Sequence, residues 1–556
     1  MKLRSLLSGL AIACLALLVT ASAGLYWLLG QSPLNLLAGG VETYPQAAIF
    51  VPRAATLMVS LLANPKRIAA LTQLETPLAQ RHRAYREFQQ LQANLLAATG
   101  LDYRQDIQPW LGEEMTLAVT DIDYDRDESN GLQPGYLLVT EAKNPQLAKE
   151  FLQSSFAQVA LKGTTDLVFE NYKGVNIVFQ RPLLPVVVSQ TKLFASAVVG
   201  NYVLFANYPQ VLKQAINNVQ APNLSLTEAA WYQKALKTVT QPRIGLIFAN
   251  LPALSAWINQ QPLTDNSEIE QMLTVTMSLK PGGLTAQTAL IGFNQVDSPP
   301  LLSAPVQALN YQPQNAILSV ASRDLNSFWQ KIETGLQPDS PIAQLLTQTL
   351  AKIEVPLGID LPQDIFSWVT GEYALAWLYS PEKRKLDWLF VAEKTPAAQA
   401  GITKLDELAV KRGLNVNTFS LNGKTAKSWL KFSTATEDNS LSLKTQIQGV
   451  HTSLENYEIL ATSIEALAKA INAPQQSLLK SEKFQKAITA LPARNDGYFY
   501  LDWSEGKVVL EKKFPLIRVI ELAAQPIFNH LRSLTLSSQG SKDGVTKAAV
   551  YFNWLD

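Results

Sequence analysis

The sequence has one cysteine and three histidines in 556 residues. Cys14 lies in an apolar N-terminal run, so the rest of the chain has no thiol for a disulfide, a zinc–thiolate site or a nucleophile. His82, His451 and His530 lack the i,i+4 spacing of a helical zinc site, and each is interpreted as a surface or packing residue. The sequence therefore indicates no catalytic residue and no cofactor.

Charge is also scarce. Charged residues make up 17% of the chain and apolar residues 47%, whereas about 25% of an average chain is charged. Lys and Arg number 47 and Asp and Glu 46, so the chain has no net field that attracts nucleic acid. We expect a globular protein with much buried surface and no nucleic-acid partner.

The N-terminal 30 residues form the longest apolar run. Lys2 and Arg4 precede an uncharged stretch over residues 5–30, which is long enough for a transmembrane helix of about 20 residues. Tyr26 and Trp27 are placed like interfacial aromatics, which favours an uncleaved anchor. The positive-inside rule then leaves the N-terminus in the cytoplasm and the body in the periplasm or the thylakoid lumen.

A cleaved signal peptide is the alternative interpretation of this run. Residues 21–23, Ala-Ser-Ala, have the small-x-small pattern of a cleavage site. The apolar run, however, continues beyond this point to Leu29. Both interpretations export the body of the protein.

The rest of the chain contains an internal repeat. GLDYRQDIQPWLGEEMTLAV (Gly100 to Val119) aligns without a gap on GIDLPQDIFSWVTGEYALAW (Gly358 to Trp377), and the match continues on both sides. Looking for repeats first guards against misjudging the architecture. We predict a tether at 31–45, a first lobe at 46–295, a Pro-rich linker at 296–307 and a second lobe at 308–556.

Short alternating runs and amphipathic stretches predict an α+β fold with antiparallel sheets and packed helices in each lobe. The predicted strands of the first lobe are Thr56–Leu62, Met115–Thr120, Gly135–Thr140, Val175–Phe179, Leu193–Val199 and Tyr202–Phe205. The predicted helices are Pro145–Ala160, with Asn144 as N-cap, and Pro209–Val219. Acidic residues at Asp102 and Asp360 predict helix starts, and Trp110 and Trp368 are expected core anchors.

Two segments of the first lobe, FVPRAATLMVSLLANPKRIAAL (Phe50 to Leu71) and LDYRQDIQPWLGEEMTLAV, resemble an uncharacterised, largely cyanobacterial family, domain-of-unknown-function family 3352. The likeness spans most of the exported body. The resemblance implies an envelope or thylakoid-membrane setting and transfers no catalytic residue.

One acidic segment is a candidate calcium site. Its alternating carboxylates are Asp121, Asp123, Asp125 and Asp127. Oxygen ligands could converge on an ion if this segment curled, but an EF-hand loop needs Gly and Glu where Arg126 and Leu132 stand. The equivalent segment of the second copy, Ser380 to Asp387, is basic. A solvated hairpin tip is the alternative interpretation.

Two further patterns match enzyme motifs only in part. The Ser-x-x-Lys spacing occurs at Ser189–Lys192, Ser428–Lys431 and Ser477–Lys480 without the partner motifs of that enzyme class. Gly423–Thr425 resembles the end of a phosphate loop, but Thr418 stands where the first glycine belongs. Its counterpart in the first copy, Asn171–Gly174, favours a tight turn between strands.

The leading hypothesis is a single-pass, extracytoplasmic and non-enzymatic protein with a binding, scaffolding or assembly role. A carrier or sensor of an apolar ligand such as a lipid or pigment is the first alternative, because Tyr498, Phe499, Tyr500 and Trp503 cluster in sequence. A hydrolase without a recognisable motif is the second. The expected partners are the membrane, through the N-terminal helix, and a protein or apolar ligand.

Overall fold

The fold is α+β, as predicted, with one large antiparallel sheet and helices packed on it. This computed structural model describes residues 40–62, 107–127, 131–161, 165–182, 195–258, 271–280, 282–292, 297–335, 350, 354, 358–380, 385–437, 440–513 and 531–554. Among these residues, no helix is both long and apolar enough to cross a membrane. The predicted anchor at 1–30 lies outside the described residues.

In the part of the chain that the structure describes, twenty strands form the sheet. The strands of the N-terminal half are β1 (Leu57–Leu61), β2 (Leu111–Asp121), β3 (Gly135–Ala142), β4 (Thr165–Tyr172), β5 (Val175–Pro182), β6 (Ala195–Val199), β7 (Tyr202–Ala206), β8 (Gly245–Asn250), β9 (Met272–Lys280) and β10 (Gly283–Ile291). Those of the C-terminal half are β11 (Leu318–Arg323), β12 (Glu372–Ser380), β13 (Lys385–Glu393), β14 (Asn415–Leu421), β15 (Lys424–Glu437), β16 (Ser440–Leu454), β17 (Tyr457–Ala461), β18 (Tyr498–Asp502), β19 (Ser533–Lys542) and β20 (Val545–Asn553).

The helices of the described residues fall between the strands. They are α1 (Pro145–Leu161), α2 (Pro209–Gln220), α3 (Ala230–Lys237), α4 (Leu251–Ile258), α5 (Leu325–Gly335), α6 (Leu361–Asp364), α7 (Pro396–Lys411), α8 (Ile464–Asn472), α9 (Glu482–Thr489) and α10 (Trp503–Lys513). Short 3₁₀ helices, such as Gln46–Phe50 and Gln307–Tyr311, connect other elements.

The strand order is the same in both halves. In the N-terminal half it runs β4-β5-β6-β7-β3-β2-β1-β8-β9-β10, with every neighbouring pair antiparallel. In the C-terminal half it runs β14-β15-β16-β17-β13-β12-β11-β18-β19-β20, again antiparallel throughout. Each strand of the N-terminal half therefore has an equivalent in the C-terminal half, which is the tenth strand after it in the chain.

The two halves are joined through their last strands. β10 and β20 pair over their full length, from Gly283 opposite Asn553 to Ile291 opposite Val545. Gln287 and Ala549, the central residues of the two strands, face each other. The pairing thus has local two-fold symmetry, and one sheet continues from β4 at one end to β14 at the other.

A hydrophobic core crosses this junction. Residues of β8, β9 and β10 pack in one cluster with Val550 and Phe552 of β20 and with Trp503 and Leu510 of α10. We call this cluster the junction core. The opposite face of the sheet carries a separate core in each half, because successive strand residues point to opposite faces.

Most of the predicted elements of the N-terminal half are confirmed. The six predicted strands coincide with β1, β2, β3, β5, β6 and β7, although Leu193 and Phe194 lie outside the described residues. The predicted helices coincide with α1 and α2. The Asn144 carboxamide oxygen caps α1 by accepting from the N–H groups of Gln146 and Leu147 at 3.1 and 3.2 Å.

The segments predicted as tether and linker both contact the folded halves where they are described. Val41 forms a bridge with Arg243 of the N-terminal half. Ser298 and Leu302 form bridges with Ser541 and Asn495 of the C-terminal half. The exact lobe boundaries stay a prediction.

The Asp360 carboxylate caps α6 by accepting from the Gln363 N–H at 2.9 Å. Asp102 lies outside the described residues. We expect Asp360→Ala to lower the free energy of unfolding by about 1 kcal/mol, because the cap acceptor is lost. Asp360→Asn keeps an acceptor and should cost less. Urea unfolding measures the free energy of unfolding of both variants, provided that its dependence on urea concentration stays unchanged. Equal losses of stability in Asp360→Ala and Asp360→Asn would contradict the capping role.

Candidate functional site

The predicted calcium ligands lie on the hairpin between β2 and β3. Asp121 ends β2, and its carboxylate accepts from the Asp123 N–H at 3.1 Å. The Asp123 carboxylate accepts from the Gln133 N–H at 3.1 Å across the hairpin, and that of Asp125 from the Asp127 N–H at 3.3 Å. Three of the four carboxylates thus stabilise local turns.

The carboxylates of Asp125 and Asp121 lie close enough to that of Asp123 to affect its pKa. Burial, and then the carboxylate of Asp125, raise the pKa of Asp123 above its ordinary value, although the Gln133 N–H opposes the shift. Among the described residues, no group of three or more His, Cys, Asp or Glu side chains is arranged to hold a metal ion. Glu128 and Asn130 lie outside that part of the chain, and the calcium site stays a prediction.

The Ser-x-x-Lys spacings do not form serine–lysine pairs where the structure describes them. Ser428 and Lys431 lie on β15, where residues three apart point to opposite faces. The Ser477 hydroxyl donates to Asn310, whereas Lys480 donates to the Pro474 carbonyl. The segment 183–194, which contains the third match, lies outside the described residues.

The predicted tight turns are confirmed. Asn422 and Gly423 join β14 to β15 with φ angles of 52° and 75°, and Lys173 and Gly174 join β4 to β5 with φ angles of 50° and 83°. Two consecutive positive φ angles are typical of a type I′ hairpin turn. The Gly423–Thr425 motif is therefore structural.

Glu114 and Glu372 have equivalent structural roles. The Glu114 carboxylate accepts from the first two N–H groups of Gln46–Phe50 at 2.9 and 2.8 Å. That of Glu372 accepts from the first two N–H groups of Gln307–Tyr311 at 2.8 and 3.4 Å. Burial raises the pKa of Glu114, although these N–H groups oppose the shift. Because both halves contain the arrangement, it belongs to the fold.

A different polar group occurs around Asp406 on α7. Its Oδ1 accepts from Trp429 Nε1 and from His451 Nε2, both at 2.9 Å, and its Oδ2 accepts from Lys427 Nζ at 2.8 Å. A carboxylate can only accept, so the Nε2 of His451 carries a proton. We call Asp406, Lys427, Trp429 and His451 the Asp406 cluster.

The local fold brings the cluster together. α7 begins after Thr395, whose hydroxyl accepts from the Ala398 N–H at 3.1 Å. Lys427 of β15 pairs with His451 of β16, so their side chains share one face of the sheet. Trp429 lies two residues along the same face, and its ring centroid is 5.5 Å from that of His451.

The cluster favours an ionised Asp406. Burial alone would raise the pKa of Asp406, but the hydrogen bonds from His451, Lys427 and Trp429 outweigh it and hold the pKa well below its ordinary value. The side chain of His451 is only 7% exposed and that of Lys427 is 44% exposed. The cluster therefore extends from the interior to the surface.

A shallow groove of about 410 Å³ lies at the exposed end of the cluster. Its lining residues are Asp406, Glu407, Val410, Lys411, Val416 and Lys427. On the inner side, an apolar cavity between α7 and the sheet is lined by residues that include Trp388, Leu408 and Trp429. This cavity of about 30 Å³ has room for only one or two water molecules.

The described residues of the N-terminal half form no equivalent of the Asp406 cluster. The tight pairs Leu454–Tyr457 and Val199–Tyr202 are equivalent, so His451 corresponds to Ser196. Ser196 pairs with Val178, just as His451 pairs with Lys427. Asp406 corresponds to Ser155, because these residues lie at the same distance from Pro396 and Pro145, the first residues of α7 and α1.

Sequence reasoning missed this site. His451 was expected to be a surface or packing residue. It is buried, and it also binds a carboxylate. Its partners lie 22 to 45 residues away in sequence, so no short motif links them. The available signal was that these residues differ from their counterparts in the first copy.

The cluster does not include a hydroxyl nucleophile at its centre. Ser428, next to Lys427, points to the opposite face, and its hydroxyl donates to the Asn417 carbonyl at 3.4 Å. Three of the four aromatic residues that motivated the carrier hypothesis are buried in cores, and the fourth, Phe499, is half-buried. Tyr498 and Tyr500 are buried in the core of the C-terminal half, and Trp503 is buried in the junction core.

Comparisons with known proteins give one family. No curated protein matches the sequence significantly. The structure titled "Structure of crystal form III of TP0453" matches 46% of this chain and 83% of its own chain, with 7% identity and a TM-score of 0.23. The family model described as "Protein of unknown function (DUF3352)" matches residues 10–554. The chain therefore belongs to the DUF3352 family.

Proposed function

We propose that this protein is a membrane-anchored, extracytoplasmic binding or scaffolding protein, and that the groove beside the Asp406 cluster receives a partner protein. The proposal includes a tandem duplication of one α+β unit and a body located in the periplasm or the thylakoid lumen. The matching strand orders support the duplication. The apolar segment at 5–30 and the positive charges before it support the anchor.

The observation that carries the binding role is that the Asp406 cluster occurs in the C-terminal half, while the described residues at the equivalent positions of the N-terminal half do not form it. Removing charges from water is costly, so a half-buried ionic group is weak evidence for stability. The N-terminal half has the same strand order with Ser155, Val178 and Ser196 at the equivalent positions. The fold therefore does not need the cluster, and a role in recognition accounts for it.

The shape of the groove favours a protein partner. Small-molecule sites are concave and bury most of the ligand surface, whereas this groove is open to solvent. It combines charged side chains with Val410, which is 60% exposed. Protein interfaces have this combination of an apolar contact and a charged rim.

Photo-crosslinking in native membranes tests this proposal. A photoreactive residue replaces Val410 in the full-length chain, and the matched control replaces Leu161, which is 87% exposed near the end of the equivalent helix α1. We expect a discrete, reproducible protein adduct from position 410 only. Lys411→Glu should lower its yield on the order of fivefold, because the partner loses a hydrogen-bond donor of the groove that contributes about 1 kcal/mol.

Two results would contradict the proposal. Equal adducts from positions 410 and 161 would show that the groove is not selective. An adduct at 410 that ignores Lys411→Glu would place recognition elsewhere on the surface. Protease treatment of sealed membranes tests the topology separately. An extracytoplasmic body is cleaved only by protease on the side of the membrane opposite the cytoplasm.

A further inference from the structure

Strand β14 is the outermost described strand of the sheet in the C-terminal half. It pairs with β15 from Asn415 opposite Leu430 to Leu421 opposite Lys424. No other described strand pairs with it. Among the described residues, β14 therefore has one edge paired with β15 and one edge without a partner strand, which we call the free edge.

The turn chemistry identifies the main-chain groups at the free edge. Leu421 and Lys424 flank a two-residue turn, so they form a hydrogen-bonded pair with each other. Hydrogen-bonding direction alternates along an antiparallel strand. The N–H and C=O groups of Val416, Thr418 and Ser420 consequently point away from β15, and no described residue is hydrogen-bonded to them.

This edge lacks the usual protection against strand pairing. Natural edge strands are blunted by charged residues, proline, bulges or shortness. β14, with the sequence NVNTFSL, has seven residues, no charge and no proline, and its pairing with β15 has a continuous register. The equivalent edge strand β4 carries Asp166 and Glu170, and Glu170 is bound by Lys213 at 2.7 Å.

Both faces beside the free edge offer side-chain contacts. Val416 and Thr418 pair with Trp429 and Lys427, so they lie on the face of the groove. Phe419 lies on the other face, where it packs at the margin of the core of the C-terminal half. Successive side chains of a strand added at this edge would point alternately to the charged groove and to the apolar surface around Phe419.

The charges of the groove indicate the chemistry of the added strand. The groove contains two acidic and two basic side chains, and Lys427 is already paired with Asp406 at 2.8 Å. Such a balanced surface does not favour a strongly charged segment. The occupant that fits is an uncharged extended segment, with polar residues towards the groove and apolar residues towards Phe419.

We propose that β14 binds such an extended segment of a partner protein as an additional antiparallel or parallel strand of the sheet. This inference rests on the proposed function and names the partner class of the same site. Main-chain hydrogen bonds to Val416, Thr418 and Ser420 supply the affinity, and the alternating side chains supply the specificity.

The test uses a phage library of random linear heptapeptides, selected on the full-length protein in detergent. Selected peptides are synthesised and titrated against the wild type and Thr418→Pro. Proline at 418 removes an outward N–H and leaves the β15 pairing intact, because Thr418 does not donate towards β15. The matched control is Phe169→Pro, which removes an outward N–H from the other edge strand, β4.

We expect uncharged, alternating peptides whose affinity falls about tenfold or more in Thr418→Pro and is unchanged in Phe169→Pro. Hydrogen exchange gives a second readout that does not depend on the variants. Bound peptide should slow exchange at the amides of Val416, Thr418 and Ser420, while that of Asn417, already bonded to β15, should change little.

Several outcomes overturn strand addition. Equal affinity for the wild type and Thr418→Pro, protection elsewhere in the chain, or no enriched peptide would each do so. A concentration-dependent dimer that Thr418→Pro abolishes would identify a second copy as the occupant instead. Peptides that respond to Lys411→Glu but not to Thr418→Pro would retain groove binding, whereas insensitivity to both would also remove the proposed function.

Discussion

Phe552→Ala is expected to lower the free energy of unfolding by about 3–5 kcal/mol, the range for deleting a buried phenylalanine ring. Phe552 is 3% exposed and belongs to β20, yet it packs in the junction core with residues of β8 to β10. The loss should therefore spread to the N-terminal half. Hydrogen exchange of the β8 and β9 amides, together with urea unfolding, measures it.

Phe169→Ala is the matched control for this variant. Phe169 is 73% exposed on β4, so its ring contributes little burial, and the expected change is within about 0.5 kcal/mol. If Phe552→Ala accelerates exchange in the C-terminal half alone, the two halves are energetically independent. A shared loss would show that the sheet responds as one body.

Asp406→Ala should destabilise the protein by about 3–5 kcal/mol, because it leaves the buried donors of His451 and Trp429 without their acceptor. Asp406→Asn keeps one acceptor oxygen and should cost less. The surface control is Glu407→Ala, an exposed neighbour on the same helix. Equal effects of Asp406→Ala and Glu407→Ala on the urea midpoint would show that the hydrogen bonds contribute nothing.

The Asp406 cluster should also respond to acid. The pKa of Asp406 is lower in the folded protein than its ordinary value of about 3.9. Ionised Asp406 therefore stabilises the fold at any pH above that ordinary value. The stabilisation is lost as pH falls from there through the folded-state pKa. Relative to Asp406→Asn, the wild type should therefore lose stability below about pH 4. Parallel pH profiles would exclude this linkage.

The sequence predicted the local elements better than their assembly. β2, β3 and α1 were recognisable because their apolar periodicity and the Asn144 cap act within a few residues. The pairing of β10 with β20 joins residues more than 250 positions apart. β10 is buried along nearly its whole length and β20 along its C-terminal five residues, so alternation could not show that these two edges pair.

The candidate site was hidden for a similar reason. The Asp406 cluster is a product of three elements, α7, β15 and β16, whose spacing along the chain carries no motif. Periodicity could predict that Lys427 and Trp429 lie on one face of a strand. It could not predict that helix α7, which carries Asp406, packs against that face. Conversely, the acidic run from Asp121 to Asp127 attracted a chemical interpretation because it is contiguous, and its carboxylates largely serve the turns of their own hairpin.

The two-fold pairing of β10 with β20 has a consequence for how such a chain can arise. A half-length unit would end in a strand whose open edge is self-complementary, and two separate copies would associate as an isologous homodimer. Fusing the copies replaces a bimolecular encounter by an intramolecular one, with an effective concentration in the millimolar range for a short connection. Assembly of the sheet then no longer depends on how much protein the compartment contains.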